Sequence, residues 1–95
     1  MEYQLRIYEV KDDQMDVFLE IFPAVVAARR AVGFEVVGAW TIPEKSQFIW
    51  IVGAEDGIET TSARYYASDQ RKGIEPEPAK LLETIDTRTM MPVSF

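Results

Sequence analysis

The sequence contains no histidine and no cysteine, and these two absences exclude several kinds of chemistry. Without cysteine the chain has no disulfide, no thiolate nucleophile and no zinc–sulfur site. Without histidine it has no imidazole to ligate haem or zinc, and no side chain whose ordinary pKa lies near neutrality. Any acid–base chemistry must use carboxylates, lysine, tyrosine or a group beside arginine whose pKa is shifted by its environment. We therefore expect no metal and no cofactor.

Positive charge and long apolar runs are also scarce. The 95 residues include 10 basic and 16 acidic ones, which gives a formal net charge of −6. Nucleic acid and anionic membranes bind proteins through a basic face, so we expect neither as a partner. No apolar run approaches the roughly 18 residues of a membrane span, and no basic-then-apolar leader is visible. We expect a cytoplasmic protein.

The composition itself is typical of a globular chain, with 47% hydrophobic and 27% charged residues. A chain of this length can bury one two-layer core, which predicts a single domain over residues 1–95. Apolar, aromatic and β-branched stretches predict four strands, over residues 3–10, 34–42, 47–54 and 84–93. The four residues 43–46 fit a hairpin connection between the second and third strands.

The first strand alternates in character, so its two faces differ. One face carries Tyr3, Leu5 and Ile7. The other face carries Gln4, Arg6, Tyr8 and Val10. The second and third strands are instead apolar at nearly every position, which is typical of a sheet covered on both faces.

Helical spacing predicts a first helix over residues 13–31 and a second over residues 56–70. Acidic residues near the two helix starts are expected to cap free backbone amides; they are Asp12, Asp13, Asp16, Glu55, Asp56 and Glu59. Pro23 is expected to bend the first helix or divide it in two, and Arg29 and Arg30 suit its negative end. Residues 71–78 are predicted to be a surface loop, and residues 79–85 a short helical turn.

The resulting order, β-α-β-β-α-β, predicts a ferredoxin-like α+β fold: a four-stranded antiparallel sheet with both helices on one face. Such a sheet would leave its second face, also apolar, in contact with water. Large exposed apolar patches mark an interface or a binding site. We therefore expect a symmetric homodimer in which two sheets close face to face into a shared α/β barrel.

Four segments, in order, resemble NIPSNAP-like domains over nearly the full chain. In YQLRIYEVKDDQMDVFLEIF the matching positions are Tyr3, Leu5, Arg6, Tyr8, Phe18 and Leu19. The other three segments are VVGAW with Trp40, FIWIV with Trp50, and TRTMMPVSF with Arg88 and Pro92. The resemblance implies the dimeric α/β-barrel superfamily. Residues 67–82 depart from the family, whose tryptophan-containing segment after the second helix is absent.

Arg6 and Tyr8 are the first candidate site residues, because polar groups on an inner strand need partners. If their face lines the barrel, they are candidates to hold an anionic or carbonyl-bearing ligand, with Arg6 making a planar two-donor contact. The alternative is a structural ion pair between Arg6 and Glu35 or Asp86.

Three further candidates are Arg88, Trp40 and Trp50. Arg88 would add to a positive pocket inside an acidic protein, or would instead pair with Asp86 or Glu9. The two tryptophans would form a flat apolar wall for a planar ligand, or would fill the core or the dimer interface.

The resemblance implies no single activity, because the superfamily includes cofactor-free monooxygenases, haem enzymes, isomerases and dehydratases. We predict a small homodimeric protein of the NIPSNAP type that binds a small apolar or acidic metabolite in the barrel cavity. The alternative is a cofactor-independent monooxygenase or isomerase acting on an aromatic substrate. The absence of histidine disfavours that chemistry, which needs a base near neutral pH. A subunit of a larger assembly is a third possibility.

Overall fold

A computed structural model describes all 95 residues. Its elements are β1 (Glu2–Val10), α1 (Met15–Ala31), β2 (Phe34–Ile42), β3 (Gln47–Ala54), α2 (Ile58–Ala67), α3 (Asp69–Lys72) and β4 (Leu82–Met90). Short 3₁₀ turns at Pro43–Lys45 and Pro78–Leu81 complete the chain. No helix combines the length and the apolar character that crossing a membrane requires.

The four strands form one antiparallel sheet in the order β2-β3-β1-β4. Aromatic side chains of α1 pack on one face of this sheet, where Phe22 contacts Trp50 at 4.9 Å between ring centres. The predicted β-α-β-β-α-β order and the ferredoxin-like arrangement are confirmed. The bounds of β2 and β3 coincide with the predicted ones, whereas β4 begins two residues earlier than predicted and ends at Met90.

The first helix is continuous through Pro23, so its predicted division into two pieces does not occur. Pro23 is exposed on the outer side of α1, while Phe18 and Val25 are buried on the inner side. Packing of this inner stripe on the sheet holds the helical backbone across the proline, which is the usual source of helix stability in proteins.

The predicted side-chain caps are wrong for both long helices. Gln14 precedes α1 without a capping hydrogen bond from its side chain, and Asp13 has a left-handed backbone with φ of 63°. Gly57 precedes α2, again without a side-chain cap. The first amide of α2, at Ile58, donates instead to Oε1 of Glu2 at 2.7 Å. A strand therefore caps the helix, because the sheet brings the start of β1 beside the start of α2.

Part of the predicted surface loop is ordered against the core. Ser68 Oγ accepts a hydrogen bond from the amide of Arg71 at 3.2 Å and so caps the short helix α3. Arg71 is buried and donates to both carboxylate oxygens of Glu77, at 2.9 and 2.6 Å. The prediction of a surface loop is wrong for Arg71, because Arg71 and Glu77 of this segment satisfy each other's charge.

The two faces of the sheet have an unexpected distribution of polarity. The helix-covered face carries the polar side of β1, with Gln4, Arg6 and Tyr8 all buried. The opposite face has no helix, and there the partly exposed Leu5 lies beside Ile51 in the register of β1 and β3. Charge is thus inside the subunit, and the apolar side of β1 faces outward.

Trp40 also lies on this open face, since it pairs with Ile49, which in turn pairs with Ile7. Its indole lies over Gly38: a Cβ added to Gly38 would come within 2.8 Å of the tryptophan Cη2. The side chain is 53% exposed. Glycine at position 38 therefore lets a large aromatic ring lie flat along the sheet surface.

Candidate functional site

A pocket of about 70 Å³ lies between the helix-covered face of the sheet and the helices. Its polar lining comes from Arg6 of β1, Arg29 of α1, Arg71 of α3, and the tyrosines of β1 and α2. Apolar side chains supply most of the remaining wall; they include Phe18, Val25, Pro78, Leu82 and Ile85. The pocket is small, mainly apolar and unusually rich in arginine.

Arg29 is the most deeply buried of the three arginines, at 2% exposure. Its Cζ lies 4.0 Å over the ring of Tyr65, 4.9 Å from that of Phe34 and 5.2 Å from that of Trp50. Nε and Nη1 have no hydrogen-bond partner, and Nη2 has only a 3.5 Å contact with the Tyr66 hydroxyl. The charge is enclosed by rings, and two of its nitrogens have no acceptor.

The position of Arg29 follows from helix geometry. Residues three and four apart share a face of a helix, and the inward stripe of α1 is Phe18, Phe22, Val25 and Arg29. The neighbouring Arg30 lies off this stripe and is exposed. Of the two adjacent arginines, only the first enters the layer between helix and sheet.

Arg6 reaches the same pocket from β1 and is 6% exposed. Its Nε donates to the Tyr8 hydroxyl and its Nη1 donates to Oε1 of Gln4, both at 2.7 Å. The ion pair of Arg6 with Glu35 or Asp86, which was the structural alternative, is not formed. Arg6 therefore has neutral hydrogen-bond partners but no counter-ion.

Burial and mutual repulsion act on these cations. The pKa of Arg29 is lowered, first by burial and then by the charge of Arg6. Burial acts most strongly against the charge of Arg6 as well, but its interactions with Tyr8 and Tyr66 together outweigh burial and its pKa is raised. Both guanidinium groups also lie over the indole of Trp50, at 6.0 Å for Arg6. The pocket thus contains two cations that share one aromatic surface.

The third arginine is different because it has a counter-ion. The Cζ of Arg71 lies 5.6 Å over the rings of both Tyr65 and Tyr66, and its guanidinium pairs with Glu77. The hydrogen bond from Arg71 lowers the pKa of Glu77, so this carboxylate is charged at neutral pH. The Arg71–Glu77 pair closes one side of the pocket without adding net charge.

The five predicted site residues do not lie together within one chain. Arg6 and Tyr8 line the pocket, and Trp50 is fully buried on the same face of the sheet. The indole Nε1 of Trp50 has no hydrogen-bond partner. Trp40 and Arg88 lie on the open face, and Arg88 makes an exposed 3.2 Å ion pair with Asp86.

Four lining residues with polar groups were not predicted as site residues: Arg29, Tyr65, Tyr66 and Arg71. For Arg29 the sequence does contain a signal, because it continues the apolar stripe of α1. Its charge and its place in the last turn suggested a helix-end role instead. No comparable signal marks Arg71, whose burial depends on contacts with α2 and Glu77.

No protein-family profile matches the sequence, and no curated protein is significantly similar to it. Solved structures are similar to it in fold. A NIPSNAP domain protein from Burkholderia xenovorans has a TM-score of 0.82 and 18% identity, over 100% of this chain and 97% of that one. A NIPSNAP family protein of unknown function from Agrobacterium tumefaciens has a TM-score of 0.83 and 21% identity, over 100% and 90%.

An antibiotic biosynthesis monooxygenase is similar at a TM-score of 0.75 and 13% identity, over 99% of this chain and 100% of that one. Identities this low establish a shared fold and leave the activity open. The NIPSNAP-like fold predicted from the four segments is confirmed.

Proposed function

We propose that the protein is a homodimeric binding protein for a small apolar or acidic metabolite, held in the pocket between sheet and helices. One observation carries the proposal: the wall of the pocket includes a buried guanidinium, that of Arg29, with two unbonded nitrogens. Buried polar groups in proteins are nearly always hydrogen-bonded. An unpaired donor in the wall of a pocket is therefore expected to meet a ligand. From the sequence, the ligand was expected in the barrel cavity between the sheets of two subunits. The proposed site instead lies between the sheet and the helices of one subunit.

The open face supports the homodimer. Leu5, Ile7, Ile49 and Ile51 form a central apolar patch on it, bordered by Trp40. A second copy of the same face would cover this patch symmetrically. The pocket lies on the other side of the sheet, so dimerisation leaves it accessible.

The ligand part of the proposal is tested by blocking the pocket. Ala79 is an exposed lining residue, so Ala79→Trp is expected to fill the pocket from its mouth without disturbing the core. Ala63→Trp, at an exposed position of α2 outside the pocket, is the matched control. In thermal-shift titrations with a panel of small organic acids and neutral aromatics, we expect stabilisation of the wild type and the control only. A panel that stabilises none of the three proteins would contradict ligand binding.

The dimer part is tested separately by light scattering after size exclusion. We expect twice the chain mass of 10.9 kDa for the wild type. Ile49→Lys, in the middle of the open face, is expected to give a monomer, because a charge there would be buried without a partner. Leu19→Lys, at an exposed position of α1, is the control and is expected to remain dimeric. A monomeric wild type would refute the dimer.

A second candidate function is a cofactor-independent monooxygenase or isomerase that acts on an aromatic substrate. The observation that favours it is a monooxygenase among the proteins of the same fold, together with the aromatic and tyrosine-rich lining of the pocket. Turnover of an added aromatic substrate, followed by oxygen uptake or by mass change, separates an enzyme from a binding protein.

A further inference from the structure

We propose that the pocket takes a monocarboxylate with an apolar body, and that its carboxylate pairs with the buried guanidinium of Arg29. This inference rests on the proposed function and narrows the ligand to one chemical class.

The first reason is the unmet hydrogen bonding of Arg29. A guanidinium has five N–H donors in its plane, and here Nε and Nη1 have no acceptor. The ring of Tyr65 lies under the group, with its centre 4.0 Å from Cζ. A ring in that position interacts with the charge, but it cannot accept hydrogen bonds from N–H groups that lie in the guanidinium plane. The missing partner must supply acceptor atoms.

The second reason is the charge balance of the pocket. The three ion pairs of the structure join Arg64 to Asp56, Arg71 to Glu77 and Arg88 to Asp86. Neither Arg6 nor Arg29 takes part in one. The chain thus buries two positive charges around one cavity and pairs neither of them with a carboxylate, which is costly unless an anion completes the site.

The third reason distinguishes a carboxylate from phosphate. A carboxylate presents two oxygens that match the guanidinium fork. A phosphate needs donors on several sides, whereas Phe18, Val25 and Leu82 offer it apolar walls. Arg6 already donates to Tyr8 and Gln4, so Arg29 has the free donors. The apolar walls then suit the organic part of the acid.

Cavity size limits that organic part. The volume of about 70 Å³ is roughly half of the ~150 Å³ cavity known to hold benzene. An acid of about two carbons is the largest that lies wholly within it. A larger body must extend toward the exposed lining residues Tyr66, Ala79 and Ile85, which form the mouth.

Binding is tested with propionate and benzoate, each compared with its neutral amide and with inorganic phosphate, at constant ionic strength. We expect both acids to bind the wild type and to raise its Tm, and the amides and phosphate to bind at least about tenfold more weakly. Arg29→Met, which keeps an unbranched apolar side chain in place of the charged one, is expected to lose at least about tenfold in affinity for the acids. Arg30→Met removes the same charge from an exposed neighbouring position and is expected to bind like the wild type.

A second measurement separates a ligand-binding arginine from a structural one. Without ligand, Arg29→Met is expected to have a Tm equal to or above that of the wild type, because it replaces an uncompensated buried charge with an apolar group. A markedly lower Tm would overturn the proposal by showing that the ring-enclosed charge stabilises the fold. Equal binding of acids and amides, or preferential binding of phosphate, would overturn the carboxylate but leave a binding pocket. Binding of none of the probes would refute the proposed function as well.

Discussion

The guanidinium carbon of Arg29 lies 4.0 Å over the ring of Tyr65, in the layer between helices and sheet. Both residues are almost completely buried, at 2% and 1% exposure. The pKa of Tyr65 is raised, mainly because burial disfavours the phenolate and despite the nearby positive charge of Arg29. The ring is therefore a neutral platform for the cation throughout the physiological pH range.

This relationship predicts how stability changes in alkali. The unfolded chain releases the Tyr65 proton near pH 10, whereas the folded protein keeps it to higher pH. The unfolded state then binds fewer protons, so the free energy of unfolding falls as the pH rises above about 10. Tyr65→Phe removes this contribution. In urea titrations between about pH 9 and 11, the variant is expected to lose less stability than the wild type. Identical pH profiles would show that Tyr65 does not contribute.

On the acid side, the Arg71–Glu77 pair predicts a second pH effect. The pKa of Glu77 is lowered, chiefly by the hydrogen bond from Arg71. Its stabilising contribution is present above the unfolded value of about 4.3 and is lost as the pH falls through the lower folded value. Because the Glu77 side chain is 37% exposed, we expect about 1 kcal/mol or less. Glu77→Gln should remove that contribution in urea titrations between about pH 3 and 6.

The matched control for this pair is Asp56→Asn. Asp56 pairs with Arg64 at 2.9 Å, but both side chains are about half exposed or more. The control is expected to change the free energy of unfolding by only a few tenths of a kcal/mol. An effect as large as that of Glu77→Gln would mean that the Arg71–Glu77 pair, although partly buried, is no stronger than the exposed Arg64–Asp56 pair.

Glu2 is predicted to stabilise a helix from another part of the chain. Its carboxylate accepts the first amide of α2, at Ile58, and the helix has no other side-chain cap. Glu2→Ala is expected to reduce the free energy of unfolding by about 1 kcal/mol, the usual value of a helix cap. Urea denaturation measures this loss. Glu9→Ala, at an exposed position of the same strand, is the control expected to leave stability unchanged.

Gly38 is predicted to control the position of Trp40. A methyl group at residue 38 would come within 2.8 Å of the indole, so Gly38→Ala must displace the ring from the sheet. We expect red-shifted tryptophan emission and weaker self-association in sedimentation experiments. Gly73→Ala, whose added Cβ would come no closer than 3.4 Å to a backbone oxygen, is the control. Unchanged emission in Gly38→Ala would show that Trp40 does not lie over the glycine.

Local pattern was sufficient to predict the strands and their order. The bounds of β2 and β3 were predicted to the residue, because their branched and aromatic residues are bounded by Gly33, by the Pro43 turn and by the acidic stretch after Ala54. The alternation of β1 also separated its two faces correctly. It could not tell which face the helices cover, since both sides of β2 and β3 are apolar.

Features that depend on distant parts of the chain were missed. The cap of α2 comes from Glu2, which is 56 residues away in sequence, and local acidic residues were predicted in its place. Arg71 is buried because Glu77 satisfies its charge across a turn. Arg29 continues the inward stripe of α1, but a charge in a last turn usually belongs to the helix end. Tertiary packing decided each of these cases.

Because Arg6 and Arg29 are buried, two of the positive charges of the protein lie inside it rather than on its surface. With these two set apart, eight of the ten basic residues remain against sixteen acidic ones, so the exterior is more negative than the formal charge of −6 indicates. An anion approaching Arg29 first meets a repulsive field and then an attractive one. Salt screens the long-range repulsion between exposed charges more than it screens a buried contact. Added salt should therefore speed the entry of a carboxylate, the reverse of the usual behaviour of electrostatically steered ligands.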